Sequence, residues 1–228
     1  MSGKRGRPPG RTDQGEATRQ ALYDAAIARF EADGYEATTL RAIAEDAGVS
    51  PGLLYRYFPS KQAVVLALYA ERSVAYADTV ELPSGAWPPR ILAALRHSLV
   101  VLGPHRATLA AVLPTLLADR EGGLLSPAAA EARGLVEGVF HSAVKGASLP
   151  PPSPDAMARL AYALQLQMVL FWVLDRSEDQ RATEGMLGWF ERAIPMASMG
   201  LWLPGVPELL GALDALVWEG LEGSAVPS

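Results

Sequence analysis

The chain has 228 residues, half of them hydrophobic and a fifth charged, with a formal net charge of -5 and no cysteine. That length allows one large helical domain or two small ones, each able to bury a core. The absence of thiols excludes a disulfide framework, thiolate zinc sites and cysteine nucleophiles, and it fits a cytoplasmic protein.

Alanine and leucine recur at three- and four-residue spacing throughout, and no stretch alternates with period two. The expectation is therefore an all-α chain. Residues 1–14 form a basic Gly/Pro/Arg tail with no apolar segment behind it, which is read as disordered and not as a secretory signal. A first helix is predicted from about Gly15 to Asp33, with Leu22, Ala26 and Phe30 as its apolar stripe. Gly34 ends it in the left-handed conformation. Thr39 caps a second helix that buries Leu40, Ile43, Ala44 and Ala47, and Gly48 closes it in a tight turn. Ser50 caps a short third helix with Pro51 in its first position, where a missing N–H costs nothing. Pro59 interrupts the chain, and Ser60 caps a long fourth helix running to about Thr79.

Residues 82–89 (LPSGAWPP) read as a linker. Helices are then predicted near Pro89–Leu102, Pro104–Asp119, Pro127–Lys145, Asp155–Arg176, Arg181–Met199 and Pro207–Leu221. The run from Pro150 to Pro154 is a stiff connector that cannot be helical. The apolar stretch Leu160–Leu174 is interrupted by Gln165 and Gln167 and is shorter than the ~20 residues that span a bilayer, so no membrane partner is expected. The implied domains are residues 15–61 and 62–221, with a short tail at 222–228.

Two short helices joined by a glycine turn, Thr39 to Phe58, form a helix-turn-helix pattern. Leu54 and Phe58 face inward. The outward set is Gly52, Leu53, Arg56 and Tyr57, which is unusual for a plain solvated face. Gly52 admits a close backbone, Leu53 can meet a thymine methyl, and Arg56 can donate two hydrogen bonds to guanine or one to phosphate. No acidic residue lies between Gly48 and Glu71. Tyr55 and Tyr57 carry hydroxyls suited to phosphate oxygens, although Tyr55 can equally be a packing residue. Lys61 stands in the first turn of the fourth helix, where free N–H groups also favour an anion. The net charge over residues 1–61 is +1, so the acidic excess belongs to the rest of the chain.

The segment GYEATTLRAIAEDAGVSPGLLYRYFPSKQAVVLALY, and above all Ala44 to Lys61, resembles the DNA-binding domain of the TetR family of bacterial transcriptional regulators. The resemblance covers roughly residues 16–75. It implies a three-helix helix-turn-helix domain joined by a long linking helix to an α-helical ligand-binding and dimerisation domain. It further implies that Thr39, Ser50, Tyr55, Tyr57 and Lys61 touch phosphates, and that Arg41, Pro51, Gly52, Leu53 and Arg56 lie at or near base edges. Pro51 departs from the longer or polar residue common in relatives, which shifts direct readout toward Arg56 and Arg41. Arg41 can also be a simple solvated helix residue. In the tail, Arg5, Gly6, Arg7 and Pro8 resemble the core of an AT-hook, so Arg5 and Arg7 either enter a minor groove or give unspecific phosphate attraction.

The implied function is a repressor that binds a palindromic operator as a homodimer and is released by a small hydrophobic ligand. The helix from Ala156 to Leu174, apolar almost all round, is expected to face its own domain on one side and a partner subunit on another, forming the dimer interface together with the helix from Arg181 to Met199; burial within one monomer is the alternative. Candidate pocket residues are His105, Phe140, Gln165, Met168, Trp172 and Trp189, with Trp87, His97, His141 and Met196 as further possibilities. Gln165 stands out because a polar group in an apolar helix needs a partner. No metal-binding spacing, phosphate loop or nucleophile elbow is present. No catalytic residue, metal or cofactor is therefore expected.

Overall fold

The computed structural model describes residues 10–222. The regular elements among them are helices: α1 (Gly10–Asp33), α2 (Leu40–Asp46), α3 (Pro51–Tyr57), α4 (Lys61–Thr79), α5 (Trp87–Leu102), α6 (Arg106–Ala118), α7 (Ala130–Lys145), α8 (Pro154–Leu174), α9 (Arg181–Gly200) and α10 (Val206–Glu222). Short 3-10 turns precede α6, α7 and α9. The predicted order is met element by element. One difference is that α1 begins at Gly10, so part of the expected tail is helical. The expectations for Arg5 and Arg7 lie outside the described residues.

The chain divides into two compact units after Leu68. The division falls within α4 and not at its start, as the sequence pattern suggested. In the first unit, Leu22, Ala26, Phe30, Ile43, Ala44, Leu54, Phe58, Val64 and Val65 are buried. These are the inward positions of four short amphipathic segments, none of which can bury its apolar side alone.

The turn between α2 and α3 is a Schellman motif. The Gly48 N–H donates to the Glu45 carbonyl and the Val49 N–H to the Ala44 carbonyl, at 3.0 and 2.9 Å. Gly48 stands at φ +65°, the left-handed region that this closure requires and that glycine enters without a Cβ clash. The Arg29 guanidinium forks onto Asp46 and also reaches Asp33 at 2.9 Å, which ties α1 to α2. Hydrogen bonding from Arg29 holds the Asp46 carboxyl below the ordinary carboxylate range.

In the second unit, α8 is the central helix and packs against α5, α6, α7 and α10. Ala158, Ala161, Tyr162, Gln165, Met168, Val169, Trp172 and Val173 are buried along it. By length and composition α8 could cross a membrane, as could Trp87–Ala118. Many of the apolar side chains of α8 line the domain core, and the 3-10 turn Gly103–His105 interrupts the other stretch. α10 lies on α8 through a stacked Tyr162–Trp218 pair with centroids 5.9 Å apart, and through an Arg159 fork onto the buried Asp214.

Two arginines, Arg90 buried and Arg106 half-buried, close two helix ends. Arg90 donates to the carbonyls of Ala143 and Ser142 at the end of α7, both at 2.8 Å, and to Pro83 in the linker at 2.6 Å. Arg106 donates to the carbonyl of Trp172 at the end of α8. At the next helix start, Asp175 accepts from the N–H and hydroxyl of Thr183, at 2.9 and 2.7 Å. These bonds and those from Ser177 pull its carboxyl far below the ordinary carboxylate range.

Its own domain surrounds α8 on several sides, and Phe171 and Leu174 of the same helix stay exposed. Large apolar side chains are also exposed on α9 and α10 and in the turn between them: Trp189, Met196, Met199, Trp202, Leu209, Leu213 and Leu216.

The left-handed turn yields a direct prediction. Gly48→Ala should destabilise the protein by about 1–2 kcal/mol, the cost of placing a Cβ in that conformation. Denaturant unfolding followed by circular dichroism checks this, and an unchanged midpoint would contradict it.

Candidate nucleic-acid interface

α3 is short and two-sided. Leu54 and Phe58 are sealed in the core, while Pro51, Gly52, Tyr55 and Arg56 are exposed and Leu53 and Tyr57 half-buried. The helix starts where it does because the Ser50 side chain accepts from the Leu53 N–H at 3.3 Å and Pro51 sets the first helical φ. Thr39 does the same for α2, accepting from Ala42 at 3.2 Å, and Ser60 for α4, accepting from Ala63 at 3.1 Å. In each case the hydroxyl oxygen satisfies the helix, which leaves the hydroxyl proton to be donated outward. Such donors suit phosphate oxygens and set position and register on a duplex.

The two tyrosines differ. Tyr55 is 54% exposed, so its ring is not a core element. Tyr57 is half-buried and its hydroxyl lies beside Gly15 of α1, 3.5 Å from where a Cβ there would stand. The packing role weighed for Tyr55 therefore falls to Tyr57. Arg56 is exposed with its guanidinium 5.3 Å from the Tyr57 ring centre, and Arg41 is exposed in the first turn of α2. Neither forms an ion pair among the described residues, so both cations are available to an incoming anion.

Lys61 is placed differently from the expectation of a phosphate contact alone. Its ammonium donates to the carbonyls of Tyr35 and Glu36, at 2.6 and 3.3 Å, and sits 4.4 Å from the Tyr35 ring centre. The loop between α1 and α2 presents these carbonyls without helical partners, and a long flexible cation at the start of α4 satisfies them. Of three ammonium protons, one remains for phosphate.

The pocket candidates scatter. Phe140 is fully buried, its ring 6.5 Å from that of Tyr162. Met168 is buried, and His105 is half-buried in the 3-10 turn before α6. Trp172 is buried at the edge of an open groove between α5 and α9, with its indole N–H donating to Gln180. Trp189 is exposed on α9. Gln165 alone of the six lines a small cavity of about 30 Å³, bounded by the second half of α4, by α5, α7 and α8. Tyr69, Arg72, Ser73 and Tyr76 supply the α4 wall. The sequence reading missed them because α4 was taken as a linking helix. A usable signal was present: Tyr69, Ser73 and Tyr76 recur at helical spacing, with Arg72 beside them.

Residues 22–68 match the family described as bacterial regulatory proteins, tetR family. Over 70 residues the chain is 41% identical to the HTH-type transcriptional repressor KstR of Mycolicibacterium smegmatis, covering 29% of this chain and 34% of that one. The match thus spans about a third of that repressor's length. An uncharacterized HTH-type transcriptional regulator of Mycobacterium tuberculosis is 29% identical over 150 residues, 65% of this chain and 67% of its own. Among solved structures, a tetR-family transcriptional regulator from Streptomyces coelicolor superposes with a TM-score of 0.58 at 23% identity, covering 89% of this chain and 88% of the other. That likeness extends the shared fold to the second unit.

The contrast between Lys61 and Arg56 is testable by thermal melting. Lys61→Met should lower the melting temperature by several degrees, since it leaves the Tyr35 and Glu36 carbonyls without their donor; loss of such a bond costs about 1–3 kcal/mol. Arg56→Ala should leave it unchanged within about 0.5 kcal/mol, because the side chain closes no structural contact. Equal destabilisation by both would contradict the assignment.

Proposed function

We propose that the chain is a regulator of the TetR type, a reading supported by the match of residues 22–68 to that family, and that it is a cytoplasmic, sequence-specific DNA-binding repressor. It acts as a homodimer on a palindromic operator and leaves it when a small, largely apolar molecule enters the second domain. The observation that carries this reading is the exposed face of α3. Arg56, Gly52 and Tyr55 lie open on a helix whose other side is sealed in the core. N-cap hydroxyls flank it, and no acidic residue lies nearby in the chain. A face of that kind fits the major groove, where an arginine can discriminate guanine by two parallel hydrogen bonds.

Dimerisation is supported by the second unit's surface. Leu209, Leu213 and Leu216 form one stripe along α10, and Trp189, Met196 and Met199 one along α9. Exposed apolar stripes on adjacent helices fit a partner with the same stripes, related by a two-fold axis. Two copies present two α3 helices, and a spacing near one DNA turn (about 34 Å) reads a palindrome.

Ligand control is supported by the course of α4. Its first half contributes Val64, Val65 and Leu68 to the core of the DNA-binding unit. Its second half forms a wall of the cavity. A helix transmits a shift along its axis because each of its turns is hydrogen-bonded to the next. A ligand that favours one position of the second half therefore biases the first, and operator affinity falls with the mismatch in spacing.

Selection of bound duplexes from a random pool, at fixed salt, tests the function. The wild-type protein should enrich a palindrome. Arg56→Ala should lose one symmetric base preference, worth about 1–3 kcal/mol per half-site. Enrichment of nothing, or an unchanged preference in the variant, would overturn the reading.

A further inference from the structure

The cavity bounded by α4, α5, α7 and α8 has a defined hydrogen-bonding character. Gln165 is 7% exposed, and its Oε1 is buried with no hydrogen-bond partner. On the facing helix, Arg72 Nε is buried and equally without a partner. An orphan acceptor and an orphan donor thus line one small space, each costly to leave unmet. Three of the hydroxyls around them have already given their protons away. Ser73 donates to the Tyr69 carbonyl at 2.8 Å, Ser98 to Leu95 at 2.7 Å and Tyr76 to Ala94 at 3.1 Å. Their oxygens retain lone pairs.

Charge narrows the choice further. The Arg72 guanidinium is paired with Glu71, so its positive charge is already matched. Arg72 is also the only charged residue in the lining. A carboxylate would meet the Gln165 oxygen and the hydroxyl lone pairs with no uncompensated cation to hold it. A hydrocarbon would leave both orphans unmet. A hydroxyl both donates and accepts, and a space of about 30 Å³ admits one or two groups of that size. Val101, Leu102 and Val136 form the apolar part of the wall.

We infer that this cavity recognises the hydroxyl of a neutral, otherwise apolar molecule, with Gln165 accepting its proton and Arg72 Nε donating to its oxygen. The inference rests on the ligand-controlled reading above and names the chemical class of the ligand. Gln165 is then a recognition residue retained at the expense of stability. Its Oε1 sits unpaired in the core, where an apolar side chain would leave no acceptor unmet.

The test compares three probes with one apolar body: propylbenzene, 4-propylphenol and 4-propylbenzoate. Each is added to the full chain and to Gln165→Met, and both melting temperature and duplex binding are read. In the wild type, 4-propylphenol should raise the melting temperature by several degrees and bind about tenfold tighter than either other probe. Without any probe, Gln165→Met should melt above the wild type, because an apolar side chain of similar volume removes the orphan. The variant should also lose the preference for the phenol over the hydrocarbon. A benzoate preference, no shift with any probe, a variant that melts lower, or a variant that keeps the phenol preference would each overturn the inference. Failure of the ligand-controlled reading looks different: the phenol shifts the melting temperature but leaves binding to a selected duplex unchanged.

Discussion

The left-handed turn at Gly48 is the constraint on which the exposed face of α3 depends. With φ at +65°, the chain can close α2 by the Ala44 and Glu45 carbonyls and start α3 two residues later at the Ser50 cap. That geometry puts Leu54 and Phe58 into the core beside Ile43 and Ala44. Once those positions are sealed, helical periodicity leaves Gly52, Tyr55 and Arg56 outside. The exposed set thus follows from a single backbone conformation and the burial that it permits.

A second regularity is the use of cations. Lys61, Arg90 and Arg106 all donate to backbone carbonyls at loop or helix ends, where no intrahelical partner exists. Arg29, Arg96 and Arg159 are held by carboxylates. Arg41 and Arg56 are engaged in neither way among the described residues, and both belong to the helix-turn-helix. The acidic remainder of the chain discourages wrapping by DNA, so attraction concentrates where these cations stand. α4 carries core residues of the first unit in its first half and cavity residues of the second unit in its second half.

Much of this was legible in the sequence, because helix punctuation is local chemistry. Thr39, Ser50 and Ser60 each cap the helix that the pattern assigned to them, and Gly34 and Gly48 take positive φ as stop signals should. The inward and outward sides of α3 were also readable from Leu54 and Phe58. Tertiary choices were not. The apolar circumference of α8 is the same whether a partner subunit or its own domain covers it; the domain covers part of it through α5, α6, α7 and α10, while Phe171 and Leu174 stay exposed. Tyr55 and Tyr57 are one chemical type two residues apart, and only the position of α1 decides which one packs. The carbonyls that Lys61 meets are backbone groups without any sequence signature. Gln165 was identifiable as a polar residue needing a partner, but Arg72 across the cavity was visible only once α4 and α8 were placed together.

The central claim is that two copies of this chain present two α3 helices to one duplex. Hydroxyl-radical footprinting on a selected operator, with the mass of the complex measured by sedimentation, tests it most directly. The account predicts an even number of protomers per duplex and two protected stretches centred about one helical turn, 10–10.5 base pairs, apart. It also predicts that Leu213→Glu, which places a charge in the α10 stripe, weakens assembly and loses both stretches together. A single protomer per duplex, or one protected stretch that survives in that variant, would contradict the account.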